Sequence, residues 1–342
     1  MSPSIKSTLV FGAKALVAIA LITWLVRSGA LDLGALGMLF TRPSLLALDL
    51  SVFALGAVLS TLRWRALLGL ADVRAPFLRL LQLQLTALFF NVVIPGNVGG
   101  DVVKALYVAR GEPASKRTTI LMIVFVERLV GMAGLVIVAS VVTLLRGPSL
   151  WADPQLRQLA LAVGVLGAAT VLGPLAFIVV MRVAGDRLDR LTAGPSKVAA
   201  LLNRLVGAMR LLSSGPKQLA KALSYSMLYH AAAIGFFTIL TRLILDRDVS
   251  FASVATVFPL GILTMVLPIS PAGIGVGHMA FERLFAAIGL SGGATIFNVY
   301  LIGQIAPCLM GVAPYLALRS KGALPTNVAE EETAEKAEEP RP

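Results

Sequence analysis

Long apolar runs separated by short polar stretches are the dominant pattern along the chain. Several runs approach the roughly 20 residues that a helix needs to cross a bilayer. Six runs predict spanning helices, at about residues 8–26, 44–62, 118–145, 159–181, 222–245 and 294–318. The pattern therefore predicts an all-α polytopic membrane protein.

Two further apolar runs are interrupted by proline and glycine. The first, 77–94, leads into Asn-Val-Val-Ile-Pro-Gly-Asn-Val-Gly-Gly-Asp at 91–101, and a short segment follows. The second, 251–267, leads into the Pro- and Gly-rich stretch 268–277 and a short helix at 279–289. Proline ends a helix, and irregular backbone at membrane depth is tolerated only when protein or a watery cavity surrounds it. Each break predicts a re-entrant helical hairpin; the alternative is a loop outside the membrane.

The order helix, helix, hairpin, helix occurs twice, over about residues 8–145 and 159–318, joined through 146–158. The second copy enters the membrane from the side opposite to that of the first copy. This order predicts an inverted-topology repeat, an architecture associated with alternating-access transporters whose site lies at the midplane. We expect one membrane domain over 1–322, and a disordered tail at 323–342, where acidic residues dominate and apolar ones are scarce.

The distribution of charge indicates membrane orientation. Net charge is +12, but 57% of residues are hydrophobic and mean hydropathy is +0.85. The basic residues lie between apolar runs, so no nucleic-acid partner is expected, and their bias places both termini in the cytoplasm of a plasma (inner) membrane protein. This bias holds only if the chain leaves the membrane, after each break, on the same side from which it entered. The basic stretch 182–221 has apolar residues at helical spacing, which fits either a helix on an anionic leaflet or a linker helix packed on the bundle.

Candidate residues for substrate binding or translocation lie at the two breaks and in the helix after the first. They are Asn91, Pro95, Gly96, Gly99, Gly100, Asp101, Lys104, Glu127, Arg128, Pro271, Gly273, Gly275, His278 and Glu282. Asp101 is either a helix cap or a proton or counter-ion site, since a carboxylate at membrane depth is costly. Lys104 either reaches a phosphate or extends to the cytoplasmic surface. Glu127 and Arg128 are adjacent on a helix and need separate partners; Arg128 with Asp101 is the structural alternative. Asn91 is expected either to cap a helix or to bond the broken backbone.

Metal, cofactor and disulfide chemistry are not expected. Cys308 is the single cysteine, which excludes an intramolecular disulfide. His278 and Glu282 are four residues apart and are predicted to share a helical face at a solvated rim. Two ligands alone do not make a metal site.

The residues at the two breaks carry a family resemblance. The first pattern is Asn91-x3-Pro95-Gly96-x2-Gly99-Gly100-Asp101-x2-Lys104, followed by Glu127-Arg128-x2-Gly131. The second is Pro271-x-Gly273-Ile274-Gly275-Val276. Together they resemble the two signatures of the lysylphosphatidylglycerol synthase transmembrane-region family, also called flippase-like, and the resemblance spans nearly the whole chain.

The resemblance implies a membrane domain that moves lipids between leaflets. Relatives are linked to aminoacylated phospholipids, hopanoid-type lipids or polyprenyl-linked sugars. An acidic tail follows where some relatives carry a soluble aminoacyl-transferring domain, so we expect a stand-alone membrane domain and no lipid synthesis. Two residues depart from the family pattern: His278 follows the second motif where a glutamate is common, and Lys104 replaces a common arginine.

The leading hypothesis is a flippase or scramblase for a phosphate-bearing or polyprenyl-linked lipid, and not an enzyme. Its expected partners are anionic or polyprenyl-linked membrane lipids; a homo-oligomer and a separate lipid-modifying enzyme stay open. One alternative is an ion-coupled small-solute antiporter, which an inverted repeat equally permits. Another is an intramembrane aspartyl hydrolase using Asp49 and Asp101, although Val98 occupies the place of the first glycine of its motif.

Overall fold

The computed structural model describes residues 41–93, 99–146, 154–192, 210–265 and 275–320, with the isolated positions 37, 206 and 207. Helices form all the regular secondary structure of these ranges. They are α1 (Pro43–Leu68), α2 (Phe77–Val93), α3 (Gly99–Arg110), α4 (Ala114–Arg146), α5 (Pro154–Thr192), α6 (Pro216–Leu245), α7 (Phe251–Thr264), α8 (Val276–Ala287), α9 (Gly293–Cys308) and α10 (Val312–Ser320). The predicted crossing at 8–26, the acidic tail, Pro95, Gly96, Pro271 and Gly273 lie outside the described residues.

Within the described residues, five helical segments are long and apolar enough to cross a membrane. They are Pro43–Ala71, Ser115–Arg146, Leu156–Pro174, Pro216–Leu245 and Gly293–Leu318, where short 3-10 turns extend α1 and join α9 to α10. Each overlaps a run that the hydrophobic pattern predicts as a crossing. The prediction of a helical, multi-pass membrane protein is therefore confirmed, and α2 and α7 are apolar but shorter.

Several helix ends lie beyond their predicted positions. The α1 helix continues to Leu68 rather than ending near 62, and α5 continues to Thr192 rather than ending near 181. Neither predicted end has a proline or glycine beside it, and arginine is a good helix former, so loss of hydrophobicity alone does not stop these helices. The predicted polar section 182–221 therefore begins as a continuation of α5 and ends inside α6. Pro216 opens α6 at a position where the missing N–H of proline is harmless.

The helices α2 and α3 pack against each other in antiparallel orientation. The backbone N–H of Gly100 donates to Asn91 Oδ1 at 2.9 Å, and one turn later Lys104 Nζ donates to Gln84 Oε1 at 2.9 Å. A Cβ at Gly100 would overlap the carbonyl oxygen of Ala87, so a glycine is required for this close approach. The helices α7 and α8 also pack together, where Gly261 faces the ring of Phe281.

Replacing Gly100 with valine should separate α2 from α3. The new side chain would overlap backbone atoms, which cannot rotate away. We therefore expect the free energy of unfolding to fall by about 1–3 kcal/mol. Thermal unfolding in detergent would measure the loss. Gly164→Ala on α5 is the control, because nothing lies within 4 Å of a Cβ there. An unchanged melting temperature for Gly100→Val would show that the α2–α3 contact is not built as described.

A second antiparallel contact joins α1 to α6. Arg42 Nη1 donates to the carbonyl oxygen of Leu243 at 3.4 Å, Gly56 faces the Tyr229 ring, and Arg63 Nη1 donates to Ser226 Oγ at 3.2 Å. Residue numbers rise along one helix as they fall along the other. The pair contributes residues to two apolar clusters. One is rich in aromatic rings from α6 to α9, and the other surrounds the buried Trp64 with side chains of α1 to α4.

Candidate functional site

Five charged side chains converge between α1, α3 and α4. This charge cluster consists of Arg63, Asp101, Lys104, Glu127 and Arg128. Its members form one continuous chain of ion pairs. Arg63 Nη2 lies 3.2 Å from Glu127 Oε1, and Glu127 Oε2 lies 2.7 Å from Lys104 Nζ. Lys104 Nζ lies 3.3 Å from Asp101 Oδ1, and Asp101 Oδ2 lies 2.6 Å from Arg128 Nη2.

Helix geometry explains why these residues meet. Asp101 and Lys104 are three apart on α3, so their side chains lie on one face. Glu127 and Arg128 are adjacent on α4, and adjacent helical positions point in different directions. Glu127 is therefore directed to Arg63 and Lys104, while Arg128 reaches Asp101. The prediction that the two need separate partners is confirmed, and so is the Arg128–Asp101 pair.

Lys104 is buried at the centre of the cluster. Its side chain is 1% exposed, and its three N–H groups have three acceptors, on Gln84, Glu127 and Asp101. The ammonium also lies 4.8 Å from the centre of the Trp64 ring, a favourable cation–π contact. Neither alternative for Lys104, reaching a phosphate or extending to the cytoplasmic surface, fits this geometry, because every N–H of the ammonium is used inside the protein.

Asp101 and Asn91 hold the beginning of α3. No side-chain cap involving Asp101 appears among the described contacts; instead its two oxygens go to Lys104 and Arg128. Asn91 bonds the backbone N–H of Gly100, as predicted for the interrupted backbone. The beginning of α3 is thus joined to α2 through Asn91 and to α4 through Arg128.

Several residues of the site, above all Arg63, were not predicted from the sequence. Arg63 lies just beyond the run 44–62 that predicts a helix, yet no glycine or proline occurs before Gly69, a signal that the helix continues. Its side chain is 13% exposed and also donates to Ser226 Oγ on α6. Gln84 and Trp64 were missed because a single amide or indole in an apolar run carries no distinguishing pattern.

The second half brings its predicted residues to the α8–α9 contact. The N–H of Gly275 donates to His278 Nδ1, so the hydrogen on Nε2 is assigned toward Asn298 Oδ1 at 3.4 Å. Glu282 Oε2 accepts the N–H of Ala294 at 2.9 Å and satisfies the first turn of α9. His278 and Glu282 therefore share a face of α8, as predicted. Within the described ranges no three His, Cys, Asp or Glu side chains are grouped as metal ligands.

The comparison with known families covers nearly the whole chain. Residues 12–314 match the family described as Lysylphosphatidylglycerol synthase TM region. The chain belongs to this family. In this member of the lysylphosphatidylglycerol synthase TM region family, the charge cluster contains the described charged residues of the first signature, and Gly275 of the second begins α8.

The chain is also similar to a curated membrane protein of comparable length. A UPF0104 membrane protein of Methanothermobacter thermautotrophicus is 25% identical over 297 residues, which cover 80% of this chain and 83% of the relative. No solved structure matches the chain. The family resemblance stated from the two signatures is thereby confirmed.

Proposed function

We propose that this protein moves a phosphate-bearing lipid from one leaflet of the membrane to the other. The observation that carries the proposal is the charge balance of the cluster. Three cations face two carboxylates, which leaves one excess positive charge among the described residues at a buried position. Charge at membrane depth is costly and usually marks a substrate or ion pathway. One anionic phosphate group neutralises the excess.

Arg128 is the member of the cluster that can meet a head group. Its side chain is 38% exposed, whereas those of Lys104 and Glu127 are 1% and 5% exposed. A guanidinium binds phosphate through two parallel N–H groups, a geometry that lysine does not offer. In this proposal Arg128 exchanges part of its contact with Asp101 for the phosphate, and Lys104 acts behind it as a fixed positive charge.

We further propose six crossings and two re-entrant hairpins in an inverted repeat. The antiparallel α1–α6 contact is the contact expected between equivalent second helices. Two side-chain contacts also correspond. Asp49 on α1 packs on Gly303 of α9, and His230 on α6 lies 3.0 Å from the carbonyl oxygen of Gly131 on α4. Each joins the second helix of one half to the last helix of the other half, and both termini are then cytoplasmic.

The aspartyl hydrolase alternative requires two carboxylates at one site. Asp101 belongs to the charge cluster, which reaches α1 at Arg63. Asp49 lies 14 residues before Arg63, about 21 Å along the helix axis. The two aspartates therefore contact different parts of the bundle, and the geometry favours transport over hydrolysis.

Leaflet exchange in vesicles tests the proposal. Purified protein is reconstituted into phosphatidylcholine vesicles with a trace of chain-labelled phosphatidylglycerol, and a membrane-impermeant quencher reports exchange. We expect at least about tenfold faster exchange than in protein-free vesicles, and little acceleration for a labelled diacyl glycolipid without phosphate. The tenfold difference follows from the hydrogen bonds to the charged phosphate, each of which contributes about 1.5–3 kcal/mol. Absence of acceleration for phosphatidylglycerol, phosphatidylcholine and a polyprenyl phosphate alike would reject lipid transport.

A further inference from the structure

One buried carboxylate lies outside the charge cluster. Asp49 on α1 is 1% exposed, and no cationic side chain of the described residues pairs with it. The cluster is about 21 Å away along the same helix. Asp49 therefore needs an explanation of its own, because a buried charge without a partner is strongly unfavourable.

The position of Asp49 in the membrane follows from its contact with α9. A Cβ at Gly303 would lie 2.6 Å from Asp49 Oδ1, so the carboxylate fills the space beside this glycine. Gly303 is the eleventh residue of the apolar segment Gly293–Leu318, about 15 Å from its start. Asp49 itself is the seventh residue of the spanning segment Pro43–Ala71, about 9 Å from its start. The carboxylate thus lies within the spanning part of both helices, where ionisable side chains mark ion pathways and proton relays.

The surroundings of Asp49 fit a proton and nothing larger. Gln304 of α9 approaches the carboxylate, yet neither Asp49 Oδ1 nor Gln304 Nε2 has a hydrogen-bond partner among the described residues. Among the described residues, the titratable groups that face Asp49 are the phenol of Tyr300 on α9 and, next to Tyr300, that of Tyr229 on α6. Phenols and an amide supply no counter-charge, and a hard cation would need more oxygen ligands than these.

We propose that Asp49 binds a proton and that its uptake and release are coupled to lipid transport. The coupling rests on the function proposed above. The carboxylate takes one proton from water on one side, becomes a neutral acid with an O–H donor, and returns the proton on the other side. The neutral acid suits the buried α1–α9 contact, whereas a carboxylate without a cationic partner is disfavoured there. Protonation therefore biases the contact between the two halves of the repeat.

Infrared spectroscopy of the purified protein tests proton binding without any transport. We expect a carboxylic acid C=O band that titrates with pH, is absent in Asp49→Asn, and persists in Asp248→Asn. Asp248 is the matched control because its side chain is 91% exposed. Asn is isosteric with the neutral acid, so Asp49→Asn should fold with an unchanged melting temperature. Identical spectra for wild type and Asp49→Asn would overturn the proton site, whether or not lipid exchange is detected.

A pH gradient tests the coupling. Vesicles carrying chain-labelled phosphatidylglycerol receive a one-unit gradient while a potassium ionophore holds the membrane potential at zero. One proton per lipid sustains a leaflet ratio of up to about tenfold, since one pH unit equals about tenfold in an equilibrium constant. Asp49→Asn should exchange lipid yet build no asymmetry, and Asp248→Asn should match wild type. A gradient response that survives Asp49→Asn overturns the coupling. Absence of exchange in wild type would remove the proposed function and the coupling together, while the infrared result still decides the proton site.

Discussion

Glu127→Gln will lower the unfolding free energy by about 3–5 kcal/mol, the expected cost of removing one partner of a buried ion pair. Both carboxylate oxygens of Glu127 are engaged, one by Arg63 at 3.2 Å and the other by Lys104 at 2.7 Å. Glutamine keeps the shape but raises the excess charge of the cluster from one to two. Chemical or thermal unfolding in detergent would measure the loss.

Lys104→Met is the informative comparison for Glu127→Gln. It removes an equally buried charge but leaves two complete ion pairs, Arg63–Glu127 and Arg128–Asp101. Its cost should be nearer the 1–3 kcal/mol of the acceptors left unsatisfied on Gln84 and Glu127. If Lys104→Met proved as destabilising as Glu127→Gln, charge balance would not be what governs the stability of the cluster.

Arg128→Lys will reduce leaflet exchange of phosphatidylglycerol by about 10- to 100-fold while leaving thermal stability nearly unchanged. Lysine preserves the charge partner of Asp101, and an ion pair at this exposure contributes only about 0–1 kcal/mol. Lysine cannot form the bidentate hydrogen bonds of a guanidinium to phosphate. A hydrogen bond to a charged group contributes about 1.5–3 kcal/mol. Exchange assays and unfolding on the same preparations would measure both effects.

Arg79→Lys provides the matched control for Arg128→Lys. Arg79 lies on α2, is exposed, and belongs to no part of the charge cluster. We expect wild-type exchange and stability for this variant. A parallel loss of stability and exchange in Arg128→Lys would instead show that the Arg128–Asp101 pair is scaffolding, and the head-group site would then have to lie elsewhere.

The sequence by itself determined the class of the protein and the location of its unusual residues. Apolar runs of membrane-spanning length predicted the five long helices that the structure describes, because hydrophobic length is a local property. The break before Asp101 predicted that Asn91 would bond irregular backbone, and the adjacency of Glu127 and Arg128 predicted separate partners. These inferences need only the geometry of one helix or one turn.

Only the tertiary structure decided which charges belong together. Arg63 and Glu127 are 64 residues apart, and the α2–α3 pair lies between them in the chain. Nothing local distinguishes Arg63 from the exposed Arg65 two residues later; the facing helices cover most of Arg63 and leave Arg65 exposed. The same holds for Asp49, whose carboxylate depends on Gly303 of α9. Helix packing determines which distant charges pair, because an unpaired charge becomes unfavourable only when the packed helices remove it from water.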